Sequence, residues 1–216
     1  MSGSLDREGN ASTEFLPGAH FHLLTPLYEF LVRPMLGGVW HDVAEDVSRA
    51  AQSGAAVVDL GCGPGTVLRQ LARRRSDLAL TGVDIDQRML SISRRRLPRA
   101  RMLHASIDAV PVEDNSADVV FSSLVFHHLT RQIKQGALRE AQRILRPGGV
   151  FFLCDFSVPV NRRGAWIVGL FGKFESGVAS QGAGALLEIA ASELLSANPR
   201  WTRLGCITQH EIRASH

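Results

Sequence analysis

The stretch "VVDLGCGPGTVLRQLA", Val57 to Ala72, sets three glycines within five positions between an apolar run and an amphipathic one. An apolar run, a glycine turn and then helical spacing read as strand, tight loop and helix. Glycine lacks Cβ and enters positive φ freely, so such a loop can turn sharply while ligand atoms rest against its backbone. Open α/β sheets bind ligands at the carboxyl ends of their strands, which is where this loop falls.

The same texture continues outward. Short apolar runs, "AAVVDL", "LALTGVDI", "ARMLHA", "ADVVFSSL" and "GGVFFLCDF", alternate with helical stretches over Thr66 to Arg74, Gln87 to Arg96 and Thr130 to Leu145. Strands apolar on both faces, separated by helices, predict an α/β fold: a Rossmann-like, doubly wound, mostly parallel sheet with right-handed crossovers. Upstream, "HFHLLTPLYEFLVRPMLGGVWHDVAEDVSRAAQ" carries apolar residues at helical spacing broken by Pro34 and Gly37-Gly38, which predicts two helices capping the domain. Downstream, "RRGAWIVGLFGKF" and "GAGALLEIAASELLSANP" read as helices, and "RWTRLGCIT" and "HEIRAS" as closing strands. The expected layout is a disordered tail over 1–18 and one domain over 19–216: cap 19–52, core 53–159, then helices and closing strands 160–216.

A chain of 216 residues, 45% hydrophobic and 21% charged, can bury one good core. The net charge of +3 comes with arginine clusters at Arg69 to Asp77 and Ser93 to Met102; without interleaved aromatics these read as solvated helix ends. Cys62, Cys154 and Cys206 are odd in number, widely spaced and free of any metal pattern, which points to a reducing cytoplasm and no metal. No apolar run has the length of a membrane span, and the polar N-terminus has no secretory core.

Asp84 ends the second strand about twenty residues beyond the loop, where a carboxylate accepts hydrogen bonds from both hydroxyls of a ribose. Loop and acid together indicate an adenosine-bearing ligand. The glycine spacing is G-x-G-x-G where a pyrophosphate loop has G-x-G-x-x-G, Pro64 removes a backbone donor, and Asp59 sets negative charge at the mouth. That combination favours a cation over a diphosphate.

Four segments in order, "VVDLGCGPGT", "GVDID", "VPVEDNSADVVFSSLVFHHL" and "RILRPGGVFFLCDFSVP", resemble the class I S-adenosylmethionine-dependent methyltransferases over Val57 to Pro159. With "HFHLLTPLYEF" upstream, they look most like the ubiquinone/menaquinone-biosynthesis group, the type 11 methyltransferases. The resemblance implies S-adenosylmethionine as cofactor and S-adenosylhomocysteine as product. It implies that Asp59 holds the amino group of the methionine portion, that Gly61, Cys62, Gly63 and Gly65 line it, that Asp84 binds the ribose, and that Ile85 packs on the adenine. Ser106 stands where relatives carry an acid that accepts from the adenine amino group, with the Ile107 backbone facing the ring and Asp108 a substitute acceptor. Ser123 borders the methionine end.

His127 and His128 follow in the loop facing the methyl group, and a histidine there could take a proton from the acceptor. The bland alternative is that one packs inward and the other caps a helix. His20, His22 and Tyr28 in the cap, and Val158, Pro159, Trp166, Ile167, Leu170 and Phe171 after the fifth strand, would wall an apolar or aromatic small-molecule pocket, although helix-core packing explains several of them equally. "SSLV" stands where many amino-methylating nucleic-acid enzymes carry a Pro-Pro-aromatic motif, so nucleic acid is not the expected acceptor. The short C-terminus predicts a closing hairpin with one strand stunted, an edge that a second copy in a homodimer would cover. Two other readings stand beside methyl transfer: a nicotinamide-dependent oxidoreductase, and a binding protein that holds the cofactor without turnover.

Overall fold

The computed structural model describes residues 25–171 and 195–214. A seven-stranded sheet runs through them: β1 (Ala56–Leu60), β2 (Ala79–Asp84), β3 (Arg101–His104), β4 (Ala117–Ser123), β5 (Leu145–Phe156), β6 (Leu195–Arg203) and β7 (Ile207–Ala214). Their order is β3-β2-β1-β4-β5-β7-β6, parallel throughout except that β7 runs against both its neighbours. The helices are α1 (Thr25–Ala50), α2 (Thr66–Arg74), α3 (Gln87–Arg96), α4 (Arg131–Ile144) and α5 (Arg162–Phe171).

Side-chain alternation along the strands separates two cores. Val57, Val119, Phe121, Phe152 and Cys154 face the layer built from α1, α2 and α3, with Leu68, Leu71 and Leu90 fully buried there. Their neighbours Val58, Val120, Phe151 and Leu153 face α4 through Ala137, Leu138, Ala141 and Ile144. β1, β2 and β3 step one way across the sheet while β4 and β5 step the other, so right-handed crossovers must put α2 and α3 on the face opposite α4. Each fully buried leucine contributes roughly 1.5–3 kcal/mol.

Local signals account for the helix starts. Asp86 caps α3, its carboxylate accepting from Arg88 N at 2.7 Å and Met89 N at 3.3 Å, and Thr130 caps α4 by accepting from Ile133 N. Helix α2 starts from Gly65 in the left-handed region, with no side-chain cap. Several clustered arginines serve the fold. Arg75 donates to the carbonyls of Ser48, Ala51 and Gln52 and pairs with Asp77, which ties the end of α1 to the α2–β2 turn.

Four expectations need correcting. The cap helix is not split: α1 is continuous over 26 residues through Pro34, Gly37 and Gly38. The stripe Leu36, Val39, Val43, Ala44 and Val47 is buried in the core, and that packing outweighs about 3 kcal/mol for a helical proline and about 1 for each glycine. Helical propensity also misreads "LSANP", which is the start of β6. The closing hairpin is complete, with strands of nine and eight residues. It is held to α1 by Asp46, whose carboxylate accepts from Trp201 Nε1 at 2.8 Å and Gln209 Nε2 at 2.7 Å. Finally, Pro147 to Gly149 lies within β5 as a shifted register, with Gly148 at φ +82°.

Candidate active site

The order of the sheet reverses between β1 and β4, and crevices form at such switch points outside the strand ends. The glycine loop leaves β1 there, and Ser123 to His128 leaves β4 beside it. The loop is bent back over β2: Gly61 N and Cys62 N both donate to Val83 O, at 2.8 and 2.9 Å. Gly63 N donates to Asp84 Oδ2 at 2.7 Å, and Asp86 N to Asp84 Oδ1 at 2.8 Å. Asp84 therefore ties the loop to the β2–α3 turn and, with lone pairs to spare on both oxygens, can still accept from a ligand.

The three glycines have different duties. All have positive φ. A Cβ on Gly61 would lie 2.5 Å from Val125 Cγ2, and one on Gly65 would lie 2.5 Å from Ser93 Oγ. These two allow the β4 loop and α3 to close on the turn. A Cβ on Gly63 would meet nothing within 4 Å, so this backbone faces open space at the strand ends.

Asp59 is 3% exposed. Burial first, and the neighbouring Asp84 second, push its carboxyl well above the ordinary range. Among the described residues no donor reaches that carboxylate, so a buried acid waits beside open backbone without a counter-charge. Burial also raises Asp84, opposed by the amides of Asp86 and Gly63. Cys62 is buried with its thiol pushed up, chiefly by burial, so it fills space and does not act as a nucleophile.

Around this centre, Ile85 is 43% exposed, an apolar side chain left uncovered beside Asp84. Ile107 is buried, and the Ser106 hydroxyl donates to the Asp108 carboxylate. Serine and acid thus act as one unit, with Asp108 leaning toward α4 at Gly136. Ser123 Oγ is buried and, apart from the Cys154 thiol beside it, lacks a hydrogen-bond partner.

After β4, Leu124 takes φ +59°, a strained value for a branched side chain. That kink carries Val125 over Gly61 and starts a 3-10 turn, Phe126–His128. His127 is driven inward, 5% exposed, with Nδ1 2.6 Å from Asp155 Oδ1 and its own backbone N donating to Asp155 Oδ2 at 3.0 Å. His128 lies against the His127 ring, centroids 3.9 Å apart. One histidine does pack inward, but the cap of α4 is Thr130 and not His128. Asp155 and the buried Lys134 escaped the sequence reading. The signal available for Asp155 was a lone acid ending an otherwise apolar strand.

The proposed acceptor wall is only partly brought together. Trp166 is 66% exposed and Val158 59% exposed, while Ile167, next to Trp166, is buried in the core. Trp166 thus lines no enclosed pocket among the described residues, because the face of α5 that carries Ile167 is the one turned to the core. Tyr28 lies on α1 where side chains are not described, as do Leu170 and Phe171 on α5, and His20 and His22 lie outside the described residues. No helix among the described residues is long and apolar enough to cross a membrane.

Residues 58–153 match the family model described as a methyltransferase domain. The demethylmenaquinone methyltransferase of Tropheryma whipplei (strain Twist) is 35% identical over 109 residues, 50% of this chain and 44% of that one. A mouse tRNA (carboxymethyluridine(34)-5-O)-methyltransferase is 38% identical over 51% of this chain and 16% of that one. This chain therefore spans less than half the length of either relative. A crystal structure of a SAM-dependent methyltransferase from Aquifex aeolicus shares the fold at a TM-score of 0.62 and 17% identity, covering 78% of this chain and 88% of that one. The site fits such a cofactor on its own terms: the unpaired Asp59 carboxylate suits an ammonium group, Gly63 leaves room against the backbone, and Asp84 stands at the second strand end. Over residues 58–153 the chain is thus similar to the methyltransferase-domain family, and it shares the fold of the Aquifex aeolicus methyltransferase.

Proposed function

We propose that this protein transfers the methyl group of S-adenosylmethionine to a small-molecule acceptor. The observation that carries the reading is the buried, unpaired Asp59 carboxylate at the mouth of an open glycine turn, a site that attracts a cation and offers a diphosphate nothing. Asp59 would hold the amino group of the methionine portion, with the backbone of Gly61 to Gly63 beside it. Asp84 would take the ribose hydroxyls, Ile85 would cover the adenine, and the Ile107 backbone with the Ser106–Asp108 pair would meet its edge.

The cofactor supplies an activated methyl group on sulfonium, so the protein's main tasks are orientation and exclusion of water. Ser123 and the turn from Val125 to His128 would border the reacting end, with His127 or His128 as the proton acceptor. The demethylmenaquinone relative favours an aromatic, apolar acceptor. The buried free cysteines suit a reducing cytoplasm, and the outer edge of β6 is where a homodimer would form.

Calorimetry and thermal melting test the reading. S-adenosylmethionine and S-adenosylhomocysteine should bind and raise the melting temperature, whereas NAD(H) should not. The opposite ranking would overturn the proposal in favour of an oxidoreductase. Tight cofactor binding without release of S-adenosylhomocysteine across a broad acceptor panel would favour a silent binding protein.

A further inference from the structure

The Asp155 carboxylate makes three hydrogen bonds inside the core, and two of them hold His127. Oδ1 accepts from His127 Nδ1 at 2.6 Å and from Phe156 N at 2.7 Å, and Oδ2 accepts from His127 N at 3.0 Å. Ring and backbone of one residue are thus clamped by one side chain from the neighbouring strand. Phe156 meets the imidazole edge-on at 5.0 Å and His128 lies against it at 3.9 Å, so the ring plane is fixed as well. The clamp stands at the end of β4, one turn from Val125, which rests on the glycine loop.

A carboxylate only accepts hydrogen bonds, so the proton on Nδ1 is dictated and the basic nitrogen of the neutral ring is Nε2. Burial opposes the Asp155 charge, but His127 and the two amides more than offset it and hold the carboxyl below its ordinary value. A buried anion in turn favours the imidazolium. Among the described residues, the charged and titratable groups around the pair include His128 on the same turn, Cys154 on β5, and Lys134 on α4, which feels Asp155 and is lowered by burial.

We infer that Asp155 is a positioning residue that fixes His127 as an Nδ1–H imidazole whose Nε2 removes the proton of a hydroxyl acceptor. The acceptor class that follows is an alcohol or phenol still protonated at neutral pH. This inference rests on the methyl-transfer reading above. The O–H proton passes to Nε2, the oxygen pair forms the new carbon–oxygen bond, the carbon–sulfur pair stays on sulfur, and the imidazolium then gives its proton to water.

The first test needs no acceptor. Long-range proton–nitrogen NMR of histidine-labelled wild-type protein should show His127 in the Nδ1–H form with a strongly downfield Nδ1 proton, and Asp155→Asn should lose that proton; an Nε2–H form in the wild type would overturn the inference. The second test uses two probes, 1,4-naphthohydroquinone, which must lose a proton, and thiophenol, which ionises unaided. D155N should lower turnover of the hydroquinone about 10²- to 10⁴-fold, shift the rising limb of its pH profile, leave thiophenol turnover and S-adenosylhomocysteine affinity unchanged, and be partly rescued by D155E. Equal turnover of the hydroquinone by D155N, or no turnover of it by wild-type protein that binds S-adenosylhomocysteine, overturns this inference alone. Failure of wild-type protein to bind S-adenosylhomocysteine overturns the methyl-transfer reading itself.

Discussion

Asp59 and Asp84, at the ends of adjacent parallel strands, form a pair of acids whose mutual repulsion adds to burial in raising the Asp59 carboxyl. The folded chain therefore keeps a proton on Asp59 at a pH where the unfolded chain has lost it. A cationic ligand reverses that preference.

The sign of the resulting pH dependence can be checked. Between the ordinary carboxylate value and the raised one, the folded state binds more protons than the unfolded state, so the contribution of Asp59 to stability falls as pH rises through that window. Chemical denaturation should show this loss in wild-type protein and much less of it in Asp59→Asn. Affinity for S-adenosylmethionine should rise with pH over the same window, and calorimetry should find D59N at least tenfold weaker at neutral pH.

Alanine at two loop glycines should separate packing from binding. Gly61→Ala combines positive φ with a collision against Val125 at 2.5 Å and should cost about 1–3 kcal/mol of stability, read from urea denaturation. Gly63→Ala meets no neighbour, so its stability loss should be smaller, about 1 kcal/mol from backbone strain. Its larger effect should be on S-adenosylhomocysteine binding, since its methyl group would project into the open space of the site.

Asp46 joins the closing hairpin to α1 through Trp201 and Gln209. Asp46→Ala leaves the buried Gln209 amide and the half-buried Trp201 indole without their acceptor and should destabilise by about 1–3 kcal/mol. Hydrogen exchange should quicken most in β6 and β7, with the amides of β1 and β2 little changed.

The thiols should be sluggish toward alkylation. Burial raises all three, Cys206 to about 11, so mass spectrometry after iodoacetamide treatment of the native protein at pH 8 should find little modification. Alkylation should become complete in denaturant.

The sheet, most of its helices and the glycine turn after β1 were legible because they rest on local signals. Apolar strands, glycine punctuation and the acid at the second strand end are each set by backbone geometry that only certain residues tolerate. The bounds of α2 and α3 follow directly from such signals. Pro34 and Gly37-Gly38 misled the reading of α1 because propensity is a local cost, while the buried stripe that overrules it exists only once the sheet is assembled. "LSANP" misled it for the same reason, since pairing with β7 supplies hydrogen bonds that no helix preference records. The chain alone thus determined the fold class. Only tertiary structure decided which glycine faces the site, that Ser106 and Asp108 act together, and that His127 is clamped by an aspartate 28 residues away, because parallel pairing of β4 with β5 is what brings the two within hydrogen-bond reach.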